Sequence, residues 1–242
     1  MGHCTACHTP RDALGGERLG KGFLSGAWIK GWEAPGLTAA SKSPVRWTEQ
    51  SFYDYLRTGF SGQHGNAGGP MAPVVQQLAA VPDSDIKAMA HYLASFQQVA
   101  TQEQAAQAAQ AYVVAAQTQS ATLLGSAQRM FTMACAACHH DGDGPKLLGA
   151  NIPLALNTNL HSDKPDNVIR VILEGVRKPA SQAIGFMPSF SGQLDDEQLV
   201  SLVNYMRARF APDKPVWNNL EQSIARIRQE TASIQGAATP AK

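Results

Sequence analysis

The cysteines of this chain fall into two identical short patterns. In each, two cysteines are separated by two residues and a histidine follows at once. The residues are Cys4, Cys7 and His8 in the first pattern and Cys135, Cys138 and His139 in the second, and they use all four cysteines of the 242-residue sequence. Thiols at this spacing reach the two vinyl groups on one edge of a porphyrin, and the next residue meets the iron. The sequence therefore predicts two covalently attached c-type haems, with the cysteines as attachment sites and the histidines as iron ligands.

Other chemistry of paired cysteines is less consistent with the patterns. A cysteine pair alone would also suit a redox dithiol, a disulfide or a structural zinc site. A zinc ion bound by all four thiols would leave no reason for a histidine to follow each pair. The repetition of the complete pattern favours haem attachment over these alternatives.

A second iron ligand is expected in each half, because a haem c iron that transfers electrons usually takes one from Met or His. The two halves share an order of features: the cysteine pattern, a proline turn, a helical stretch, a Gly/Pro-rich segment and a closing helix. Met71 and Met187 occupy equivalent places in the Gly/Pro-rich segments, which predicts a loop between two helices for each. We expect these methionines to be the ligands, and His64 and His91 to be structural or solvent-facing.

The repeat also predicts a partner for each axial histidine. Pro35 and Pro145 fall where a backbone carbonyl would accept a hydrogen bond from the second ring nitrogen and fix the ring, although each also suits an ordinary turn. The remaining methionines lie on helical apolar stripes, and we expect them to fill gaps in the core. They are Met89, Met130, Met133 and Met206.

Composition and helical patterns predict two helical domains. The apolar content of 44% is typical of a globular protein, and a net charge of +1 gives no global attraction to nucleic acid or an anionic membrane. No window approaches the run of about 18 apolar residues that spans a bilayer. We expect one domain at 1–99, an Ala/Gln-rich and partly helical linker at 100–122, a second domain at 123–211, and a C-terminal helix and tail at 212–242.

The two halves differ in two places. In the first half 27 positions separate the axial histidine from the turn proline, against six in the second, and Trp28, Trp32 and Trp47 cluster around this insertion. We expect the insertion to form an extra loop over a haem edge or a partner-facing surface.

A helix at about 123–134 precedes the second pattern, whereas three residues precede the first, and residues 1–12 have no apolar segment typical of a signal peptide. This difference predicts that the sequence begins within a longer protein.

The motifs and their order resemble the cytochrome c subunits of membrane-associated bacterial dehydrogenases of the alcohol, aldehyde, gluconate and nicotinate types. The resemblance extends to Phe210 and is most specific at residues 2–11, 31–35, 69–72 and 185–190. It implies an all-α fold of two tandem class I cytochrome c domains. Members of the family typically carry three haem domains, and the first pattern here resembles their second, which implies that the first haem domain is lacking.

The resemblance also implies a function. A partner dehydrogenase subunit with a quinone, flavin or molybdenum cofactor would oxidise an organic substrate, and the haems would pass the electrons to ubiquinone or a terminal oxidase. The place would be the periplasm, at the outer face of the inner membrane, with membrane contact only peripheral or through partners. A stand-alone periplasmic shuttle is one alternative. A dihaem cytochrome c peroxidase is another, but a methionine in each half argues against the open iron position that it needs.

The haems should also be required for folding. Each would supply much of the apolar mass of a small domain, so neither half is expected to fold without one. Chain made without haem attachment should show the far-ultraviolet circular dichroism of an unfolded chain and be digested rapidly by protease. A cooperative thermal unfolding transition in the haem-free chain would contradict this expectation.

Overall fold

The computed structural model describes residues 3–97, 101–140, 152–180 and 185–237. These ranges hold ten α-helices, a single 3₁₀ turn and four short strands. In the first half the elements are α1 (Cys4–His8), the 3₁₀ turn (Gly20–Gly22), β1 (Ala27–Ile29), β2 (Trp32–Ala34), α2 (Glu49–Thr58), β3 (Phe60–Ser61), β4 (Gly65–Asn66), α3 (Met71–Leu78) and α4 (Asp83–Ala94). They continue with α5 (Gln102–Thr122), α6 (Ser126–Ala134), α7 (Thr158–His161), α8 (Asp166–Glu174), α9 (Asp196–Phe210) and α10 (Leu220–Ala237).

The first half is built around the packing of α2 against α4. Thr48 and Ser51 form a reciprocal capping box that starts α2, and Gly59, with φ +78°, ends it. The buried apolar side chains of this half form one cluster, made of Leu24, Trp47, Phe52, Leu56, Ile86, Ala90 and Leu93. The helical stretch and the closing helix predicted for this half are both confirmed.

A short helix, α3, lies between α2 and α4. Met71 is its first residue, so the prediction that this methionine lies in a loop between two helices is wrong in detail. The Arg57 guanidinium on α2 donates to the carbonyls of Leu78 and Ala79, at 3.4 Å each, and of Val81, at 3.2 Å. These bonds fix the C-terminal end of α3 and the turn that follows it on α2.

The second half is built on α6, α8 and α9. Phe131 on α6 is fully buried, and Asp195 caps α9 in a reciprocal capping box with Gln198. The last helix, α10, belongs to this core, because Leu220, Ile224 and Ile227 are all buried in the same cluster. The apolar side of the last helix is therefore used for packing within the chain.

The segment between the halves is a packed helix, which corrects the expectation of a partly helical linker. Helix α5 runs unbroken over 21 residues and packs against α9. Its Ala105 and Ala109 form a small buried cluster with Val45 of the first half and Leu156 of the second. Alanine removes little apolar surface from water, but its small side chain lets helix backbones approach closely. The Ala/Gln-rich composition of helix α5 therefore did not indicate that the helix is packed against both halves.

The insertion of the first half forms a hairpin that packs on the second half. Strands β1 and β2 pair antiparallel, and β3 pairs with β4, so the chain is helix-rich rather than all-α. The backbone N–H of Glu33 donates to Asn167 Oδ1 at 2.9 Å, and Asn167 Nδ2 donates to the Glu33 carbonyl at 2.8 Å. The Ser162 hydroxyl donates to the Glu33 carboxylate at 2.5 Å. The predicted extra loop is thus a contact between the two halves.

One buried guanidinium joins three elements at this contact. The side chain of Arg170, on α8, is 2% exposed and donates to the Gly31 carbonyl in the hairpin at 2.6 Å. It also pairs with Glu174 at 3.0 Å and with Glu230 of α10. Since each partner lies on a different part of the fold, Arg170 ties the hairpin and the last helix to α8.

Replacement of Arg170 should therefore lower the free energy of unfolding more than the loss of a surface ion pair does. Arg170→Gln should lower the free energy of unfolding by about 3 kcal/mol, near the low end for a buried pair because both glutamates keep some solvent contact. Lys87→Gln, which breaks an exposed pair with Asp83, should leave the free energy of unfolding almost unchanged. Denaturant unfolding of the haem-loaded protein measures both, and equal losses would contradict this account.

Candidate haem sites

The four cysteines are free thiols in the described structure. Within the described ranges, no group of three or more His, Cys, Asp or Glu side chains is arranged to hold a metal ion. Burial raises the pKa of Cys135 to about 11 and also raises the pKa of Cys4. A redox dithiol needs a lowered thiol pKa. The environment therefore argues against the alternatives to haem attachment.

The predicted site residues share one large cavity. Its volume is about 1450 Å³, above the roughly 300–1,000 Å³ of ordinary small-molecule pockets. Every attachment and ligand residue predicted from the sequence lines it. They are Cys4, Cys7, His8 and Met71 of the first half and Cys135, Cys138, His139 and Met187 of the second.

Backbone carbonyls orient both axial histidines. His8 Nδ1 lies 2.7 Å from the Pro35 carbonyl oxygen, which confirms the predicted partner. His139 Nδ1 lies 3.0 Å from the carbonyl oxygen of Ile152. Pro145, the partner predicted there, lies outside the described residues. Burial lowers the pKa of both imidazoles. A neutral ring that donates from Nδ1 has its lone pair on Nε2, the atom that faces a metal.

The backbone at Gly69, just before Met71, passes close to the indole ring of Trp32. Met71 is half-buried and packs on the apolar cluster of the first half, which Cys4 also contacts. A Cβ at Gly69, where φ is +50°, would lie 2.6 Å from the Trp32 ring. Only glycine allows this approach. The hairpin that carries Trp32 thus supports the segment that leads into Met71.

Met187 is placed by a backbone bridge. Its N–H and carbonyl exchange hydrogen bonds with Val176, at 3.1 and 2.9 Å. Gly175 has φ +70°, and a Cβ there would lie 2.5 Å from the Met187 carbonyl oxygen. Each methionine segment therefore depends on one glycine, Gly69 or Gly175, at a point where the backbone passes another group.

The histidine expected in an exposed glycine-rich loop is instead buried. His64 is 4% exposed, and its ring stacks on Trp47 with centroids 3.6 Å apart. Its Nδ1 lies 2.7 Å from Ser43 Oγ, while its Nε2 has no hydrogen-bond partner among the described residues. Burial lowers the pKa of His64 to about 3. His91 is exposed, as predicted, and its Nδ1 lies 2.9 Å from a Glu49 carboxylate oxygen.

The other methionines divide into three environments. Met206 is buried, as expected of a core residue. Met89 and Met130 are half-buried and line the cavity. Met133 is 86% exposed, so its assignment to the core is wrong.

These residues fit haem c. The cavity has mainly apolar walls, two pairs of thiols at its edge, and an oriented imidazole beside each pair. It also contains a buried ring nitrogen without a partner, that of His64. An apolar macrocycle with thiol-reactive vinyl groups on one side and carboxylates on another would satisfy each of these features.

Comparison with known proteins identifies both halves. The family described as "Cytochrome c" matches residues 1–97, and that described as "Cytochrome C oxidase, cbb3-type, subunit III" matches residues 123–206. Two tandem domains of this kind define a c-type cytochrome.

Similarity to curated proteins specifies the family further. The chain is 46% identical, over 96% of its length, to a nicotinate dehydrogenase subunit of Pseudomonas putida, of which it covers 19%. It is 32% identical over 87% of its length to the fructose dehydrogenase cytochrome subunit of Gluconobacter japonicus, covering 46% of that protein. It is 33% identical over 86% of its length to the gluconate 2-dehydrogenase cytochrome c subunit of Pantoea cypripedii, covering 49% of it. The chain is therefore made of cytochrome c domains and is similar over most of its length to cytochrome c subunits of bacterial dehydrogenases, and it spans less than half the length of these relatives.

A second buried histidine generates a pH prediction. His161 is 1% exposed, its Nε2 lies 2.9 Å from the Ala155 carbonyl oxygen, and burial lowers its pKa to about 4. The unfolded chain, with a histidine pKa near 6.5, binds the proton first as the pH falls, so stability should fall below pH 6.5, by about 2 kcal/mol at pH 5. His161→Gln should remove that share of the loss.

Urea unfolding of the haem-loaded protein at pH 7 and pH 5 tests this. The stability of His161→Gln relative to wild type should rise between the two pH values. His91→Gln, at an exposed position, should follow the wild type. A parallel loss in wild type and His161→Gln would exclude His161 as the source.

Proposed function

We propose that this chain is a dihaem electron-transfer unit and is not catalytic by itself. One haem is attached and ligated by Cys4, Cys7, His8 and Met71, and the other by Cys135, Cys138, His139 and Met187. The observation that carries the proposal is that all eight side chains line one continuous cavity. The carbonyl partners of both histidines, which leave each Nε2 available, give it further support.

The residues of the chain do four things in this proposal. The cysteine thiols would attach the haem covalently, the histidines and methionines would bind its iron, and the apolar walls would exclude water. The carbonyls of Pro35 and Ile152 hold each imidazole in one orientation. Haem iron supplies reversible one-electron chemistry, and ligation by His and Met raises its reduction potential. With no axial position left open, the arrangement favours electron transfer over reaction with oxygen or peroxide.

A dehydrogenase is the proposed electron donor. The relatives named above are subunits of nicotinate, fructose and gluconate dehydrogenases, which supports a catalytic subunit of quinoprotein, flavoprotein or molybdenum type as partner. Ubiquinone or a terminal oxidase is the proposed acceptor, at the periplasmic face of the inner membrane. No helix in the described part of the chain is long and apolar enough to cross a membrane.

The ligand set is tested by three methionine substitutions in protein expressed behind a periplasmic signal. A pyridine haemochrome assay should give two haems per chain. Met71→Ala and Met187→Ala should each abolish the methionine-to-iron absorption band of one haem and lower its reduction potential, because a strong ligand is lost. Met133→Ala is the matched control, since its side chain is 86% exposed, and it should leave both bands and both potentials unchanged.

Other outcomes would decide against the proposal. A single haem per chain would remove one site. A band untouched by Met71→Ala would exclude Met71 as a ligand. Peroxide turnover by the wild-type protein would show an open iron position and favour a peroxidase.

A further inference from the structure

The cavity has a polar side where the two halves of the chain meet. Its thiol and methionine residues lie against apolar clusters, with Cys4 and Met71 on the first and Cys135 and Met187 on the second. Several polar residues of the lining belong to the contact between the halves, where Asn167 bonds to Glu33 and Thr158 bonds to His64. Asn66, Asn157 and Asn159 also line the cavity, whereas the polar lining residues Thr5, Gln77 and Asp85 lie in other parts of the fold. A haem is likewise two-sided, since its attached vinyl edge is apolar and its two propionates are carboxylates.

His64 is held on this polar side by both halves. Its ring is fixed within the first half by the stack on Trp47 and the bond to Ser43. Its backbone carbonyl accepts from the Thr158 N–H at 3.3 Å and from the Thr158 hydroxyl at 3.4 Å, both from the second half. Contacts within the protein alone therefore fix the position of the His64 ring.

One atom of this fixed ring needs a partner. His64 Nε2 is buried, and no described residue bonds to it. A buried polar atom that has lost water is costly unless it is hydrogen-bonded. When the Ser43 hydroxyl donates to Nδ1, the ring proton is on Nε2, which makes that atom a donor on a residue that lines the cavity.

We propose that His64 Nε2–H donates a hydrogen bond to a propionate carboxylate of the first haem. This inference rests on the proposed haem at Cys4 and Cys7. A carboxylate is the stronger acceptor for such a donor, because the bond is charge-assisted. His64 is then a positioning residue: it fixes the polar edge of the group and changes how much propionate charge the iron experiences.

The polar surroundings of His64 distinguish this role from iron ligation. Met71 packs on the apolar cluster that Cys4 also contacts, as an iron ligand beside the attached edge requires. His64 instead shares its side of the cavity with Asn66 and Asn157. The same contact, through Thr158, places the second half of the chain directly behind the propionate donor.

The test uses redox titration of the full haem-loaded chain. His64→Phe keeps an aromatic ring on Trp47 but has no donor, and His64→Gln keeps an N–H donor. Ser43→Ala removes the hydroxyl that fixes the ring proton. His91→Phe is the matched control at an exposed histidine. The first haem is identified as the one whose methionine-to-iron band disappears in Met71→Ala.

All four variants should retain two haems and both methionine bands. His64→Phe should shift the reduction potential of the first haem and leave that of the second unchanged. His64→Gln should restore most of the shift, Ser43→Ala should give a smaller one, and His91→Phe should give none. If His64 had only a structural role, His64→Gln would not restore the reduction potential of the first haem alone.

Two results would overturn the inference. One is an unchanged potential of the first haem in His64→Phe or, if that variant does not mature, in Ser43→Ala. The other is a first haem without a methionine band in the wild type that changes its axial ligand in His64→Phe, which would make His64 the iron ligand. A wild-type haem count below two would instead refute the proposed function, so the two failures are distinguishable.

Discussion

Each proposed site must hold a flat group between two ligands that are far apart in the chain. His8 and Met71 are 63 positions apart, and His139 and Met187 are 48 apart. The histidine is fixed locally, by its cysteine pattern and by one carbonyl oxygen. The methionine has to be brought to the opposite face by the rest of the domain. The elements between them therefore serve this placement: α2 and Arg57 hold α3 for Met71, and the bridge to Val176 holds Met187.

The hairpin contacts the second half through polar groups, in addition to the small apolar cluster that Val45 and Leu156 form with helix α5. Asn167 pairs with both backbone groups of Glu33, and Arg170 reaches the Gly31 carbonyl. Such bonds are directional, so they specify one relative placement of the domains more narrowly than apolar contact does. The hairpin that makes these bonds also carries Trp32, which lies beneath the Met71 segment. The β1–β2 hairpin thus takes part both in the contact between the domains and in the placement of Met71.

The sequence predicted what local patterns encode. The haem attachment motifs and the helices α2 and α9 follow from local patterns, and the internal repeat pointed to the Pro35 carbonyl. Features that depend on distant partners were missed. The carbonyl of Ile152 bonds to His139, whereas Pro145, the predicted partner, lies outside the described residues. His64 was expected to be structural or solvent-facing, and the sequence did not indicate its stack on Trp47 or its contact with Thr158 of the second half. The packing of α5 was missed because alanine has little apolar surface to signal burial.

Helix α5 has a consequence for how electrons could move along the chain. A flexible connection would let the domains diffuse, and exchange between the two irons would then wait for encounters. Helix α5 spans 21 residues, about 31 Å at 1.5 Å per residue. Its Ala105 and Ala109 are locked between Val45 and Leu156. In the proposed dihaem unit, this packed helix would hold the two sites at a fixed separation, so electron transfer between them would be insensitive to solvent viscosity.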